Sequence, residues 1–294
     1  MTATSVPEPV LHDRLVVGFD GSESSLSAME WAASEAALRG ASVHVVSSYF
    51  VQPIADFGYG ASGTAVDMTE SADFCLDRAQ TTAAKVFEGH PGVEYDVEAV
   101  RQSPAAALLA QARSADLVAV GSSGVGAFTR FLLGSVTGSL LASSPCPVVV
   151  VPADRHASTS RVVVGTDGSE HADHAVRWAA DEADRRGCEL VVVHVWKYGF
   201  HLTTTGVDRA DDFTPVDAEL ILDRAVEAAR SVCAVDVRGE LVEGSEADVL
   251  LEMSDTADLL VLGARGRGGF RAMLFGSIAS AAATHSRCPA VIVR

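Results

Sequence analysis

The chain repeats itself. "RLVVGFDGS" at residues 14 to 22 returns as "RVVVGTDGS" at 161 to 169 with seven of nine positions identical, and "EWAASEAALRG" (30 to 40) returns as "RWAADEADRRG" (177 to 187), both at an offset of 147. "ADLVAVGSSG" (115 to 124) returns as "ADLLVLGARG" (257 to 266) at an offset of 142, so five residues are missing from the middle of the second copy. A variable surface loop tolerates such a loss. A chain of 294 residues has room for two cores of ordinary size. The repeat divides it into a domain at 10–152, a linker at 153–160 and a domain at 161–294.

Within each copy, short apolar runs alternate with helical stretches. Leu15 to Phe19 and Val43 to Ser48 have the buried-strand pattern; between them Leu26, Met29, Ala33 and Ala37 recur at helical spacing, and Gly40 stands where a helix ends on a left-handed residue. A helix from about Val66 to Glu88, a strand "VEYDVEAV", a helix opening at Ser103 and Pro104, a strand "LVAV", a glycine loop, a helix and a strand "PVVVV" complete the unit. Strictly alternating elements imply parallel neighbours joined by right-handed crossovers, with helices on both faces. The expected fold is α/β: two tandem doubly wound parallel five-stranded sheets.

In such sheets ligands occupy the crevice at the carboxyl ends of the strands, where strand order reverses. Gly18 and Asp20 close the first strand and Gly121 the fourth; Gly165, Asp167 and Gly263 are their equivalents. Gly121, Gly124, Gly134 and Ser135 form G-x2-G-x9-G-S, and Gly263, Gly266, Gly276 and Ser277 repeat the spacing. Glycines let backbone N–H groups turn inward as an anion nest, and a serine opening a helix places its N-terminus there. Taken singly, an Asp-Gly-Ser turn or a glycine loop is weak. Both features in both halves, at matching strand ends, favour a nucleotide.

The paired motif resembles the ATP-binding motif of the universal stress protein family, over nearly the whole chain as two tandem copies. The Cys-Pro before each last strand (Cys146-Pro147, Cys288-Pro289) shares in the resemblance. The resemblance implies an adenine-nucleotide α-hydrolase-like sheet of order 3-2-1-4-5 and ATP as ligand, with Mg²⁺ as an option. It places Asp20 and Asp167 beside the adenosine, Gly18 and Gly165 where backbone meets ligand, and Ser48 and Val195 against the adenine. Gly121, Gly124, Gly126, Gly134, Ser135 and Val136 would surround ribose and phosphates, as would Gly263, Gly266, Gly268, Gly276, Ser277 and Ile278. Single-domain members pair through their fifth strands, so the apolar runs Val148 to Val151 and Ala290 to Val293 are expected to dock the halves together. A further homodimer stays open.

The copies differ in charge. Arg265, Arg267 and Arg271 stand where the first loop has Ser123, Val125 and Thr129, with only Arg130 nearby. Arginine suits phosphate, which makes Arg265 and Arg267 candidate contacts, although solvation or pairing with surface acids would equally explain them.

Other classes fare worse. A net charge of −17 and a pI near 4.8 oppose general nucleic-acid binding. "MTATSVPEPVLHDR" has no leader pattern, no apolar run reaches membrane-spanning length, and five cysteines without a CxxC pair suggest neither disulfide framework nor zinc site, all of which fits the cytoplasm. His44 and His194 lie in apolar strands without metal-spaced partners and are expected as core residues; Cys146, Cys288, Trp31 and Trp178 are expected to pack. A Walker loop and a nucleophile elbow are absent, and the two lysines, Lys85 and Lys197, lie outside the glycine loops. The reading is a nucleotide-binding stress-response regulator with no catalytic residues and no protein-held metal. A slow ATP hydrolase, a nucleotidyl-transferring enzyme on the same fold and a ligand-free interaction module are the alternatives.

Overall fold

The computed structural model describes residues 13–49, 68–122, 133–154, 158–197, 200–203, 206–209, 215–267 and 275–294. The first half runs β1 (Arg14–Gly18), α1 (Glu23–Arg39), β2 (Ser42–Ser48), α2 (Met68–Phe87), β3 (Tyr95–Val100), α3 (Pro104–Gln111), β4 (Leu117–Gly121), α4 (Ser135–Ser143) and β5 (Val148–Val151). The second runs β6 (Arg161–Gly165), α5 (Glu170–Arg186), β7 (Glu189–Trp196), β8 (Phe200–Thr203), β9 (Gly206–Arg209), α6 (Pro215–Arg230), β10 (Val237–Glu243), α7 (Glu246–Ser254), β11 (Leu259–Gly263), α8 (Ser277–His285) and β12 (Ala290–Val293). Strand order is β3-β2-β1-β4-β5 in one half and β10-β7-β6-β11-β12 in the other, parallel within each. The strands Leu15–Val17 and Val162–Val164 are buried because helices cover both faces of the sheet.

β12 pairs with β5 antiparallel, Ala290 opposite Val150 and Ile292 opposite Val148, which joins the halves into one ten-stranded sheet. Each half thereby removes the other's apolar edge, the arrangement expected from the fifth strands. Across the same junction the Arg294 guanidinium donates to the carbonyls of Leu141, at 3.1 Å, and Ala142 in the last turn of α4. A cation at a helix C-terminus is favourably placed.

Helices α1 and α5 begin alike, with Ser22 accepting from Ser25 N and Ser169 from Ala172 N, and both end on left-handed glycines, Gly40 (φ 66°) and Gly187 (φ 61°). The buried face of α1 includes the expected Met29 and Ala33, but Leu26 is half-buried and the face is wider than expected. Ala28, Met29, Ala32, Ala33 and Ala36 face the sheet while Ala37 is exposed. An alanine-rich helix carries little amphipathic contrast, so its small residues pack wherever the sheet approaches closest. The hairpin β8–β9 is also additional to the expected alternation. Its strands have four residues each, too short for a period of two to stand out.

Where α1 meets α5, Glu35 and Glu182 are almost wholly buried; Glu35 faces two arginines, and Glu182 faces the same two and Arg185 at 3.5 Å. Arg39 binds Glu35 and, at 2.5 Å, Glu182; Arg186 binds Glu35 and, at 2.5 Å, Glu182. Burial and the charge of Glu182 hold Glu35 above the ordinary carboxylate range, whereas at Glu182 the burial effect is outweighed by Arg186 and Arg39, which hold it below. The arginine of the first half also lies over the ring of Trp178, 5.4 Å from its centroid. The four charges repeat at the offset of 147, so the junction has a pseudo-twofold axis of its own.

Candidate functional site

At the switch point of the second half lies a cleft of about 800 Å³. Its walls are the ends of β6, β7 and β11 with α7 and the start of α8. Gly165, Asp167, Val195, Gly263, Arg265, Gly266, Arg267, Gly276, Ser277 and Ile278, all singled out from the sequence, line it together. Its volume is that of a small-molecule site.

Asp167 organises the floor. Its Oδ1 accepts from Ser169 N at 2.9 Å, which shapes the turn into α5, and its Oδ2 accepts from Arg267 N at 2.6 Å, which ties the glycine loop to the end of β6. A Cβ on Gly266 would stand 2.5 Å from that same Oδ2, so glycine is what permits the approach. Gly276 donates to Ala264 O at 2.8 Å and closes the base of the loop. Gly276 is also the N-cap of α8, and no side chain caps that helix. Ser277, Ile278 and Ala279 of its first turn line the cleft, so the unshared N–H groups expected at a helix start belong to a cleft wall.

Two glycines also have a packing reason to be glycine. A Cβ on Gly263 would lie 2.8 Å from the backbone carbon of His171, and one on Gly121 2.6 Å from that of Ser24. Their absent side chains let β11 and β4 abut the first turns of α5 and α1. Similarly, Gly165 meets Leu262 and Leu250, and Gly18 meets Leu108. These four glycines answer to helix packing, whereas Gly134 and Gly276 have room for a side chain.

Several cleft residues escaped the sequence reading, the polar His194, Lys197 and Glu246 among them. His194 is buried, as expected of a core residue, yet it lines the cleft, with Nδ1 2.7 Å from Thr166 O. Lys197 enters from the end of β7 and pairs with Glu246 on α7 at 3.2 Å, so the cleft has a lysine at its rim. Only its distance from the glycine loop in sequence hid it. His44, by contrast, is a partnered core residue, its Nδ1 2.5 Å from Asp96 Oδ2. Burial pushes the Cys288 thiol up to about 12 and raises that of Cys146, which suits packing residues.

In the first half Gly18, Asp20, Ser48, Gly121, Gly134, Ser135 and Val136 occupy the equivalent places, and Gly134 caps α4 without a side chain as Gly276 caps α8. Asp20 Oδ1 accepts from Ser22 N at 2.9 Å and from Ser22 Oγ at 2.6 Å. Gly124, Gly126 and Gly268, with Ser123, Val125, Thr129, Arg130 and Arg271, lie outside the described residues. Among the described residues no group of three metal-binding side chains converges, and no helix is long and apolar enough to cross a membrane.

The order of strands in both halves and the cleft at the second switch point define a tandem doubly wound α/β protein. The Universal stress protein family profile matches residues 12–152 and again 159–294. A universal stress protein of Mycolicibacterium smegmatis is 34% identical over 95% of this chain and 96% of its own, and one of Mycobacterium tuberculosis is 33% identical over the same shares. The chain belongs to the universal stress protein family. Its fold is also that of a solved universal stress protein from Archaeoglobus fulgidus, which covers 97% of both chains at a TM-score of 0.67 and 20% identity.

Proposed function

We propose that the protein is a cytoplasmic regulator that binds an adenine nucleotide, ATP in the first instance, in each of two modules, 10–152 and 161–294, connected by 153–160. One observation carries this reading: the second cleft joins a glycine loop, the uncapped start of α8 and two arginines at the switch point of the sheet. Phosphates suit the N–H groups of the helix start and the guanidinium groups of Arg265 and Arg267. The apolar wall from Val193, Val195, Leu250 and Ile278 suits a purine. Asp167 already receives an N–H on each carboxylate oxygen, so a Mg²⁺ brought with the nucleotide would be held chiefly by phosphate and water. On this reading the chain's own groups bind and orient the nucleotide.

A nucleotide that binds only the folded protein, present at a hundred times its dissociation constant, stabilises it by about 2.7 kcal/mol. The thermal midpoint should therefore rise with ATP. Gly134→Asp combined with Gly276→Asp places a carboxylate at both helix starts without steric conflict and should abolish the rise while preserving the ligand-free midpoint. An undiminished rise would refute the assignment. Rapid stoichiometric product release in a single-turnover ATP assay would make it an enzyme instead.

A further inference from the structure

The turns Asp20-Gly21-Ser22 and Asp167-Gly168-Ser169 are equivalent, and Gly21 and Gly168 both have positive φ, 80° and 70°. In each half a guanidinium stands over that glycine, yet the two come from different elements. Over Gly168 it is Arg267 of the glycine loop, whose Nη2 lies 3.4 Å from where a Cβ would be. Over Gly21 it is Arg78 of α2, whose guanidinium occupies the space a Cβ would take and donates to Asp20 O.

Neighbouring residues explain the exchange. Arg78 belongs to "LDRA" at 76 to 79, which recurs at 222 to 225, so its counterpart by sequence is Arg224; that residue is exposed. The guanidinium of Arg78 is held over the rings of Phe19 and Phe74, 5.7 Å from each centroid. The second half has Thr166 and Leu220 at those positions, and Ile221, which replaces Cys75, packs 3.2 Å from the Cβ position of Gly168. The arginine seat on α2 is thus built in one half and filled by isoleucine in the other. Val125 stands in sequence where Arg267 does, so the first half has its arginine on the helix instead.

We infer that Arg78 is the anion-contacting, specificity-setting residue of the first site, supplying from α2 the positive charge that Arg267 supplies from the loop. This rests on the nucleotide reading above. Arg78 is held over two rings and Arg267 by the bond of its backbone N to Asp167, so both cations stand over their turns in the same structure. Arg78 itself is half-buried, with its Nε covered.

The test uses the full chain carrying Gly276→Asp, which silences the second site, and compares ATP with adenosine by calorimetric titration. Arg78→Gln should weaken ATP at least about tenfold, as expected for loss of a charge-assisted bond, and leave adenosine unchanged. Arg78→Lys, which keeps the charge without the fork, should fall between, and its ratio of ATP to adenosine affinity decides the matter if the glutamine variant does not fold. Parallel weakening of ATP and adenosine, or no change in either, overturns the inference and leaves the nucleotide reading standing. Loss of all ATP binding from Gly276→Asp would likewise overturn it for the first site alone. Failure of the unaltered chain to bind ATP would overturn both.

Discussion

The two switch points share a backbone and differ in how they are wired. Asp20 and Asp167 both accept from the backbone N of the serine two residues on; what differs among the described residues is the guanidinium over the turn, which comes from Arg267 beside the glycine loop in the second half and from Arg78 of α2 in the first. A duplicated fold preserves what the sheet requires and leaves the rim free to change. The strand-end glycines and helix caps are the same in both halves because they set how helices abut strands. The charged residues at the rim are not required by that packing, and there the halves have diverged.

The strongest challenge to the halves' equivalence comes at their junction. Glu35→Ala or Glu182→Ala leaves two buried arginines facing one carboxylate, and breaking such a pair costs about 3 to 5 kcal/mol. Denaturant unfolding should give the larger loss for Glu182→Ala, because Glu182 also meets Arg185 at 3.5 Å and is held below the ordinary carboxylate range while Glu35 is held above it. Equal losses would mean that the third arginine adds nothing. Exchanging glutamate and arginine at all four positions should recover part of the stability, since the four exchanged charges again meet opposite charges, and not all of it, because an arginine at 182 faces Arg185.

The glycines divide by packing and not by motif. Gly121→Ala and Gly263→Ala drive a Cβ into the backbone of Ser24 and His171, and overpacking of this kind costs about 1 to 3 kcal/mol. Gly134→Ala and Gly276→Ala should change thermal stability little, because the nearest atoms are 3.8 Å and 3.5 Å away. If all four behave alike, the distinction between packing and ligand-facing glycines fails.

The smallest effect is a pH dependence. Asp258 accepts from Ser158 Oγ at 2.8 Å and Thr159 N at 2.6 Å, which fastens the linker to the start of β11. Burial works against its ionisation, but these bonds outweigh it and hold the carboxyl below 3.8. A depressed carboxylate contributes stability above its unfolded value that fades as pH falls through the folded one. Cleavage of the linker by an acid-active protease should increase below about pH 4, an effect that Asp258→Asn should make independent of pH. An unchanged profile in that variant would show that another group holds the linker. Asp116, the first-half counterpart, meets Arg14 N at 3.4 Å.

Much of this was legible in the chain. Repeats, buried-strand triplets and the Gly40 stop depend on contacts within a few residues, and a right-handed parallel crossover leaves few ways to order the strands. Even the docking of Val148–Val151 on Ala290–Val293 followed from an apolar strand that would otherwise be an edge. Tertiary structure alone decided which distant side chains share a wall. Lys197 meets Glu246 because β7 and α7 end on one side of the cleft, Arg78 reaches Asp20 because α2 crosses above the turn, and Glu35 faces Arg186 because β5 and β12 bring α1 against α5. Periodicity encodes which face of an element is buried. It does not encode the crossing geometry that brings two faces together, and a charge 143 or 151 residues from its partner leaves no local trace of the pairing.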